Sequence, residues 1–263
     1  MMKRGIVEKN ERLTLVIPVY CEQRRLKSTL EAVVAFIRET KDIVVDAVFV
    51  DDGSSDDCSG VIRAFIASQA CEQIRLIRLT RNQGKGYAVK TGILAAEGDL
   101  ILMSDTDLST PLKDWRKLKV AIDAGADIAC GSRALAGAHI GIPPPLHRRI
   151  LSKIFNRLVR LAGVRGFRDT QCGFKLFRAK AAQTLFRQMR LKRFAFDVEM
   201  IARACDWGYH VVEIPVNWDY SGHSTVRVFS SGGRMLLDVL LLAVRRVLFG
   251  KAHPIAEDQK IEP

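Results

Sequence analysis

Short, nearly unbroken apolar runs alternate with amphipathic stretches through the first half of the chain. The runs at 13–20, 44–51, 74–80 and 100–104 are rich in Val, Ile and Leu and read as strands. Apolar residues recurring at helical spacing predict helices at 26–39, 59–70 and 88–96 between them. Strands that are apolar at almost every position are expected where both faces of a sheet are covered by helices. Alternation of this kind predicts an α/β fold, an αβα sandwich of Rossmann type around a mainly parallel sheet. Such sheets bind ligands beyond the carboxyl ends of their strands, so the polar residues at those ends carry the chemistry.

The pattern loosens in the second half. One more strand is expected at 127–132, then a Gly/Pro-rich loop at 137–145 that includes Pro143, Pro144 and Pro145. A basic amphipathic helix follows at 148–162, a strand at 170–177, helices at 179–188 and 196–207, and a strand at 210–215. The stretch 235–249 reads as a helix that is apolar almost all round. The resulting organisation is a catalytic-type body over 1–229, an apolar helix over 230–250 for a membrane or a protein interface, and a flexible tail over 251–263.

Three polar segments fall at strand ends: Ile17-Pro18-Val19-Tyr20-Cys21-Glu22, Asp51-Asp52-Gly53-Ser54-Ser55-Asp56, and Asp105-Thr106-Asp107. Two carboxylates spaced Asp-x-Asp can hold a hard divalent cation against a diphosphate, because Mg²⁺ prefers one or two carboxylates plus phosphate oxygens. Asp-Asp-Gly-Ser-Ser taken alone equally suits a turn that caps the next helix. Arg81-Asn82-Gln83-Gly84-Lys85-Gly86 precedes a helix, where glycine lets backbone approach a phosphate and Arg81 and Lys85 add charge.

These motifs, in this order, resemble the inverting family 2 glycosyltransferases of GT-A fold. The 81–86 segment, Gly131-Ser132-Arg133, Asp169-Thr170-Gln171-Cys172-Gly173-Phe174-Lys175 and Phe196-Asp197-Val198-Glu199 narrow the resemblance to the polyprenyl-phosphate (dolichyl-phosphate) glucosyl- and mannosyltransferases. The resemblance implies that Pro18, Tyr20 and Glu22 line a nucleotide site and that Asp51 and Asp52 bind the base and ribose. It implies that Asp105 and Asp107 handle metal and diphosphate, with Thr106 on the donor side and Mg²⁺ or Mn²⁺ as cofactor. Arg133, Arg148 and Arg149 match the arginines that bind the acceptor phosphate, and arginine's planar fork suits phosphate oxygens. Asp107, Asp169 and Arg133 are the candidate catalytic residues. Asp169 is read as a base or an orienter of sugar hydroxyls, with pairing to Lys175 or Arg193 as the structural alternative. Gln171, Asp197 and Glu199 are candidates for the sugar or acceptor site. The expected donor is UDP-glucose, with GDP-mannose or another UDP-hexose as alternatives, and a saccharide acceptor is the runner-up to polyprenyl phosphate.

Composition adds three constraints. Lys plus Arg total 41 against 29 Asp plus Glu, a formal net charge of +12 that points to a polyanionic partner. Nucleic acid is disfavoured, since aromatic residues are 7% and no stacking platform is interleaved with the cations. A dinucleotide oxidoreductase wants Gly-x-Gly-x-x-Gly after the first strand, where Pro-Val-Tyr-Cys-Glu stands instead. A sugar nucleotidyltransferase wants a Gly-rich, Arg-bearing loop at that place. The six scattered cysteines read as reduced thiols of a cytosolic protein. No apolar run reaches the roughly 20 residues of a spanning helix. On 148–162, Leu151, Ile154, Phe155, Leu158 and Leu161 share one face, opposite Arg149, Lys153, Asn156 and Arg160. That pattern suits a helix lying in a membrane interface. On 235–249, Asp238 and Arg245 form a narrow polar stripe with Arg234, and Arg246 lies beside it. The expectation is peripheral attachment to the cytosolic face of a membrane, with a homodimer interface as the other use of the apolar helix.

Overall fold

The computed structural model describes residues 11–69, 71–161, 163–164, 166–221 and 228–249. In chain order the elements are β1 (Arg12–Val19), α1 (Gln23–Glu39), β2 (Val44–Asp51), α2 (Cys58–Gln69), β3 (Ile74–Arg78), α3 (Lys85–Leu94), β4 (Leu100–Met103), a 3-10 turn (Leu112–Asp114), and α4 (Trp115–Asp123). There follow β5 (Ile128–Ser132), β6 (His139–Ile140), α5 (Leu146–Leu161), β7 (Lys175–Arg178), α6 (Ala179–Gln188), α7 (Phe196–Asp206), β8 (Val211–Pro215), β9 (Asn217–Trp218) and α8 (Val228–Phe249).

Seven strands form one sheet in the order β3-β2-β1-β4-β7-β5-β8, and β6 and β9 pair separately. The apolar runs divide between two layers by the period-2 alternation of a strand. Leu13, Leu15, Ile17 and Val19 of β1 join the core under α1, α2 and α4, while Val16 joins the core on the opposite side. Both layers are closed by helices, which is why the strands carry so few polar residues.

All neighbours are parallel except β7, which runs antiparallel to β4 and β5. The expected strand at 170–177 begins at Lys175, because 169–174 is a turn held by its own side chains. The chain reaches β7 at the carboxyl edge of the sheet and descends from there. Lys175, the first residue of β7, therefore pairs in register with Met103, the last residue of β4.

Helix α4 is absent from the expected elements, although Trp115, Leu118 and Ile122 bury its i, i+3, i+7 stripe. Helix α1 starts at Gln23 rather than 26, with the Glu22 carbonyl accepting from the Arg25 and Leu26 amides. On α5 the expected single apolar face is divided. Val159 is buried and Phe155 packs against the core, whereas Leu146, Ile150, Leu151 and Ile154 are exposed. The side chains of Arg148 and Leu161 lie outside the described residues.

Helix α8 begins at Val228 and contacts α5 and α7. Arg246 holds Asp206 through Nε at 3.0 Å and Nη2 at 2.6 Å, so part of the helix's polar side faces the protein. Leu237, Leu240, Leu241 and Val244 are 46–56% exposed, the reverse of an ordinary surface helix. No helix among the described residues is long and apolar enough to cross a membrane. The Arg234 side chain and the tail 251–263 lie outside the described residues.

Candidate active site

The sheet brings the three polar segments to one edge. β1 ends before Tyr20, β2 at Asp51, β4 before Ser104 and Asp105, and β5 before Arg133, with Lys175 added by the reversed β7.

The two carboxylates after β2 shape loops. Asp51 is buried; its Oδ1 accepts from the Ser54 amide at 2.8 Å, and its Oδ2 accepts from the Ser59 hydroxyl. This is the turn-closing geometry that Asp-Asp-Gly-Ser-Ser alone suggests. Asp52 accepts from the Gln83 amide at 2.7 Å, the Gly84 amide at 2.8 Å and Asn82 Nδ2 at 3.0 Å. It thereby fixes the 81–86 loop, and burial pushes its carboxyl up against those donors. Gly84 stands at φ 106°, and a side chain there would meet the Lys192 carbonyl, so glycine is required twice over.

The 81–86 loop presents Lys85 to the Asp-Thr-Asp segment. Lys85 Nζ lies 2.6 Å from Asp105 Oδ1. Burial disfavours the ammonium, but Asp105 and Asp197 outweigh it and raise the lysine's pKa. Asp105 Oδ1 is shielded from water and finds no donor besides that ammonium among the described residues. Its carboxylate rests directly on the backbone of Gly173, where a Cβ would collide with it.

Thr106 is an internal strap. Its hydroxyl donates to the Pro18 carbonyl at 2.5 Å, and its carbonyl accepts from Thr29 Oγ1 at 2.7 Å. Asp107 is partly open, with a 27% exposed side chain. Its Oδ1 accepts from the Ser109 amide at 3.0 Å and its Oδ2 from Ser221 Oγ at 3.1 Å. Glu22 reaches it indirectly: Glu22 binds Arg25 Nε at 2.8 Å, and Arg25 Nη1 lies 3.9 Å from Asp107. Leu108, at φ 46°, takes a left-handed conformation that is costly for a branched residue, immediately beside this carboxylate.

A second group surrounds Arg133. Its Nε donates to Asp169 Oδ2 at 2.6 Å, its Nη2 to Oδ1 at 2.8 Å, and its own amide to Oδ2 at 3.0 Å. The guanidinium lies 5.3 Å from the ring centre of Trp218. Glu213 accepts from the Arg168 and Asp169 amides at 2.7 and 2.8 Å and steadies the turn. Burial opposes ionisation of Asp169, but the charge and hydrogen bonds of Arg133 prevail and hold its carboxyl below the usual range. A group of this kind stabilises the fold above its unfolded pKa of about 3.9 and loses that contribution as pH falls through the lower folded value. Acid denaturation should therefore steepen below about pH 4, and Asp169→Asn should remove that part of the pH profile in denaturant titrations.

Deeper in, Lys175 and Asp197 are both buried and joined at 2.7 Å, and Lys175 also donates to the Cys172 carbonyl at 2.5 Å. Glu199 lies away from the edge. It accepts from the Arg190 amide at 3.0 Å, the Leu191 amide at 2.6 Å and Arg203 Nε at 2.8 Å, anchoring the loop before α7. Gln171 Nε2 and Ser132 Oγ are buried without a hydrogen-bond partner among the described residues. Arg149 sits in the first turn of α5, and no described ion pair joins it to this group.

The edge thus gathers Asp105, Asp107, Lys85, Arg133 and Asp169, with Lys175 and Asp197 beneath. Arg25, Ser221 and Trp218 are additions that no sequence pattern marks, and Gly173, quoted only as part of the 169–175 motif, proves to seat the Asp105 carboxylate. Among the described residues no cluster of three His, Cys, Asp or Glu forms a closed metal cage. Two neighbouring carboxylates, both partly exposed and one with a water-shielded oxygen, fit a hard cation whose shell substrate phosphates complete. Gly173→Ala would press on Asp105 and should weaken metal-dependent nucleotide binding about 10- to 100-fold. Titration calorimetry checks this, with an unchanged melting temperature as the control.

The sequence matches the model of glycosyl transferase family 2 over residues 14–186. A dolichyl-phosphate beta-glucosyltransferase of Dictyostelium discoideum is 35% identical over 247 residues, covering 90% of this chain and 75% of the relative. The human dolichyl-phosphate beta-glucosyltransferase is 34% identical over 245 residues, covering 89% of this chain and 76% of the relative. Among solved structures, glucosyl-3-phosphoglycerate synthase from Mycobacterium tuberculosis, bound to Mn²⁺, UDP and glucosyl-3-phosphoglycerate, superposes with a TM-score of 0.66. It covers 94% of this chain and 82% of its own at 15% identity, a likeness of fold.

Proposed function

The chain belongs to glycosyl transferase family 2, and from that premise we propose that it transfers glucose from UDP-glucose, with inversion, onto the phosphate of dolichol or another polyprenol. One observation carries the acceptor reading. Asp169, Asp197 and Glu199, the carboxylates available as a base, are each held by a cation. Among the described residues these three carboxylates are thus engaged, which suits a nucleophile that needs no base. A phosphate monoester, with a second pKa near 6, is mostly dianionic at neutral pH. Its oxygen attacks the anomeric carbon, the bond to the β-phosphate oxygen breaks, and UDP leaves with the electron pair.

Asp105 and Asp107 are the residues to hold a divalent cation, Mg²⁺ or Mn²⁺, which when bound neutralises charge on the departing diphosphate. Lys85 passes from Asp105 to the diphosphate as the donor enters, with Arg81 near the same loop. Asp169 occupies Nε and Nη2 of Arg133 and leaves Nη1 for the acceptor phosphate, which makes Asp169 a positioning residue. Tyr20, Pro18 and Asp52 frame the nucleoside. Gln171, with its buried amide lacking a partner among the described residues, is the residue to meet a sugar hydroxyl. The exposed leucines of α8 and the open apolar half of α5 supply peripheral contact with the cytosolic face of the membrane.

Calorimetry with UDP and GDP in the presence of Mn²⁺ tests the donor. Metal-dependent binding of UDP in preference to GDP is expected, and a preference for GDP would replace UDP-glucose by a guanosine donor.

A further inference from the structure

Loop 81–86 has two sides. Lys85 reaches Asp105, whereas Arg81 and Gln83 line an open cleft of about 450 Å³ together with Arg190, Lys192, Arg193 and Asp238 of α8. Four cations thus face one carboxylate. Arg81, Arg190, Lys192 and Arg193 are exposed, and none has an ion-pair partner among the described residues.

Both walls are built rigidly. Asp52 fixes 82–84, and Glu199 fixes the amides of 190 and 191. The walls are also tied to each other, with the Tyr87 amide donating to the Lys192 carbonyl at 3.0 Å and Lys192 Nζ lying 5.2 Å from the Tyr87 ring centre. Like charges held on a fixed frame repel one another, and an anion in the cleft relieves that repulsion.

The surroundings choose the anion. Asp238 marks where the cleft meets α8, and its helix neighbours Leu237 and Leu241 are 56% and 46% exposed. Leu240 and Val244 of the same helix are exposed as well. A ligand that fits is anionic at one end and apolar at the other. We propose that this cleft seats the phosphate headgroup of an anionic membrane phospholipid while the leucines of α8 enter the acyl boundary. The cleft is distinct from Arg133, where the acceptor phosphate is placed, and it borders the nucleoside side of the donor site, since the charge of Arg193 bears on Asp52 and Tyr20; the proposal stands for whatever sugar the enzyme transfers.

The test is flotation of the full chain with vesicles of phosphatidylcholine alone and of phosphatidylcholine mixed with phosphatidylglycerol. Arg190→Ala with Lys192→Ala is compared with Arg63→Ala with Lys41→Ala, an equal charge loss on exposed residues of the opposite layer. Near a membrane each basic residue contributes enough that losing two lowers partition by on the order of tenfold or more. The expected result is that loss for the cleft variant on mixed vesicles, little change for the control, and weak binding to neutral vesicles. Equal losses in both variants would reduce the effect to net charge and overturn the proposal. So would equal binding to neutral vesicles. Inorganic phosphate that binds the wild type but not the cleft variant in the absence of vesicles would make it a free-phosphate site, and loss of UDP binding would assign the cleft to the donor. Circular dichroism of each variant separates these outcomes from misfolding.

Discussion

Lys175→Met lowers the stability of the fold by about 3–5 kcal/mol, the cost of leaving a buried carboxylate without its partner. Lys175 and Asp197 are 0% and 3% exposed, so water cannot replace the lost ammonium. Burial by itself would disfavour a charged lysine, but Asp197 more than compensates and raises its pKa. Burial also pushes the Asp197 carboxyl above its usual range, against the lowering charges of Lys175 and Lys85. The lysine's own contribution is complete below its unfolded value of about 10.4 and is lost as pH rises through the higher folded value. Removing both charges is less harmful than removing one, since an apolar pair of similar volume fills the same space. Lys175→Met with Asp197→Leu should accordingly recover much of the stability in calorimetric melts. Activity should not recover with it. Lys175 also holds the Cys172 carbonyl, and the turn that follows places Gly173 under the Asp105 carboxylate. Stability returning without transfer would identify the pair as the support of the site. Full recovery of both would make it a filler of the core.

Asp107→Ala leaves the fold intact and lowers sugar transfer by about 10²- to 10³-fold, the usual loss when one preorganised charge stabiliser is removed. The side chain is partly exposed and tied by a hydroxyl, an amide and a distant guanidinium, so truncation exposes no buried charge. Its effect falls on chemistry. Mn²⁺ binding followed by electron paramagnetic resonance in the presence of UDP should weaken in parallel. Unchanged Mn²⁺ binding would move the metal away from the Asp-x-Asp pair. Lys85→Met gives the complementary result: Mn²⁺ binds the donor-free protein more tightly, because Lys85 no longer competes for Asp105, while UDP binds more weakly.

Much of this architecture is legible in the residues. Strands with both faces apolar announce a covered sheet, and Asp51, Asp105 and Arg133 fall at its edge because strand ends can be read from where the apolar runs stop. The direction of β7 is not legible. It depends on the route of 133–174, which no periodicity encodes, and that direction is what brings Lys175 beside Met103. Helix α4 is short, and its stripe of Trp115, Leu118 and Ile122 is interrupted by Arg116, Lys117 and Lys119, so it blends into a polar stretch. Partners are the least legible feature. Asp169 could pair with Lys175 or Arg193 by sequence, and the fold gives it Arg133. Asp197 takes Lys175 and Glu199 takes Arg203 for the same reason, that long-range pairing follows topology.

The most direct measurement incubates the purified chain with Mg²⁺, a polyprenyl phosphate and labelled UDP-glucose, and follows label into the organic phase. Lipid-linked glucose in the wild type, absent with Asp107→Ala and with GDP-mannose as donor, is the predicted result. Retention of all label in the aqueous phase by a protein that still binds UDP with metal would contradict the lipid-phosphate acceptor.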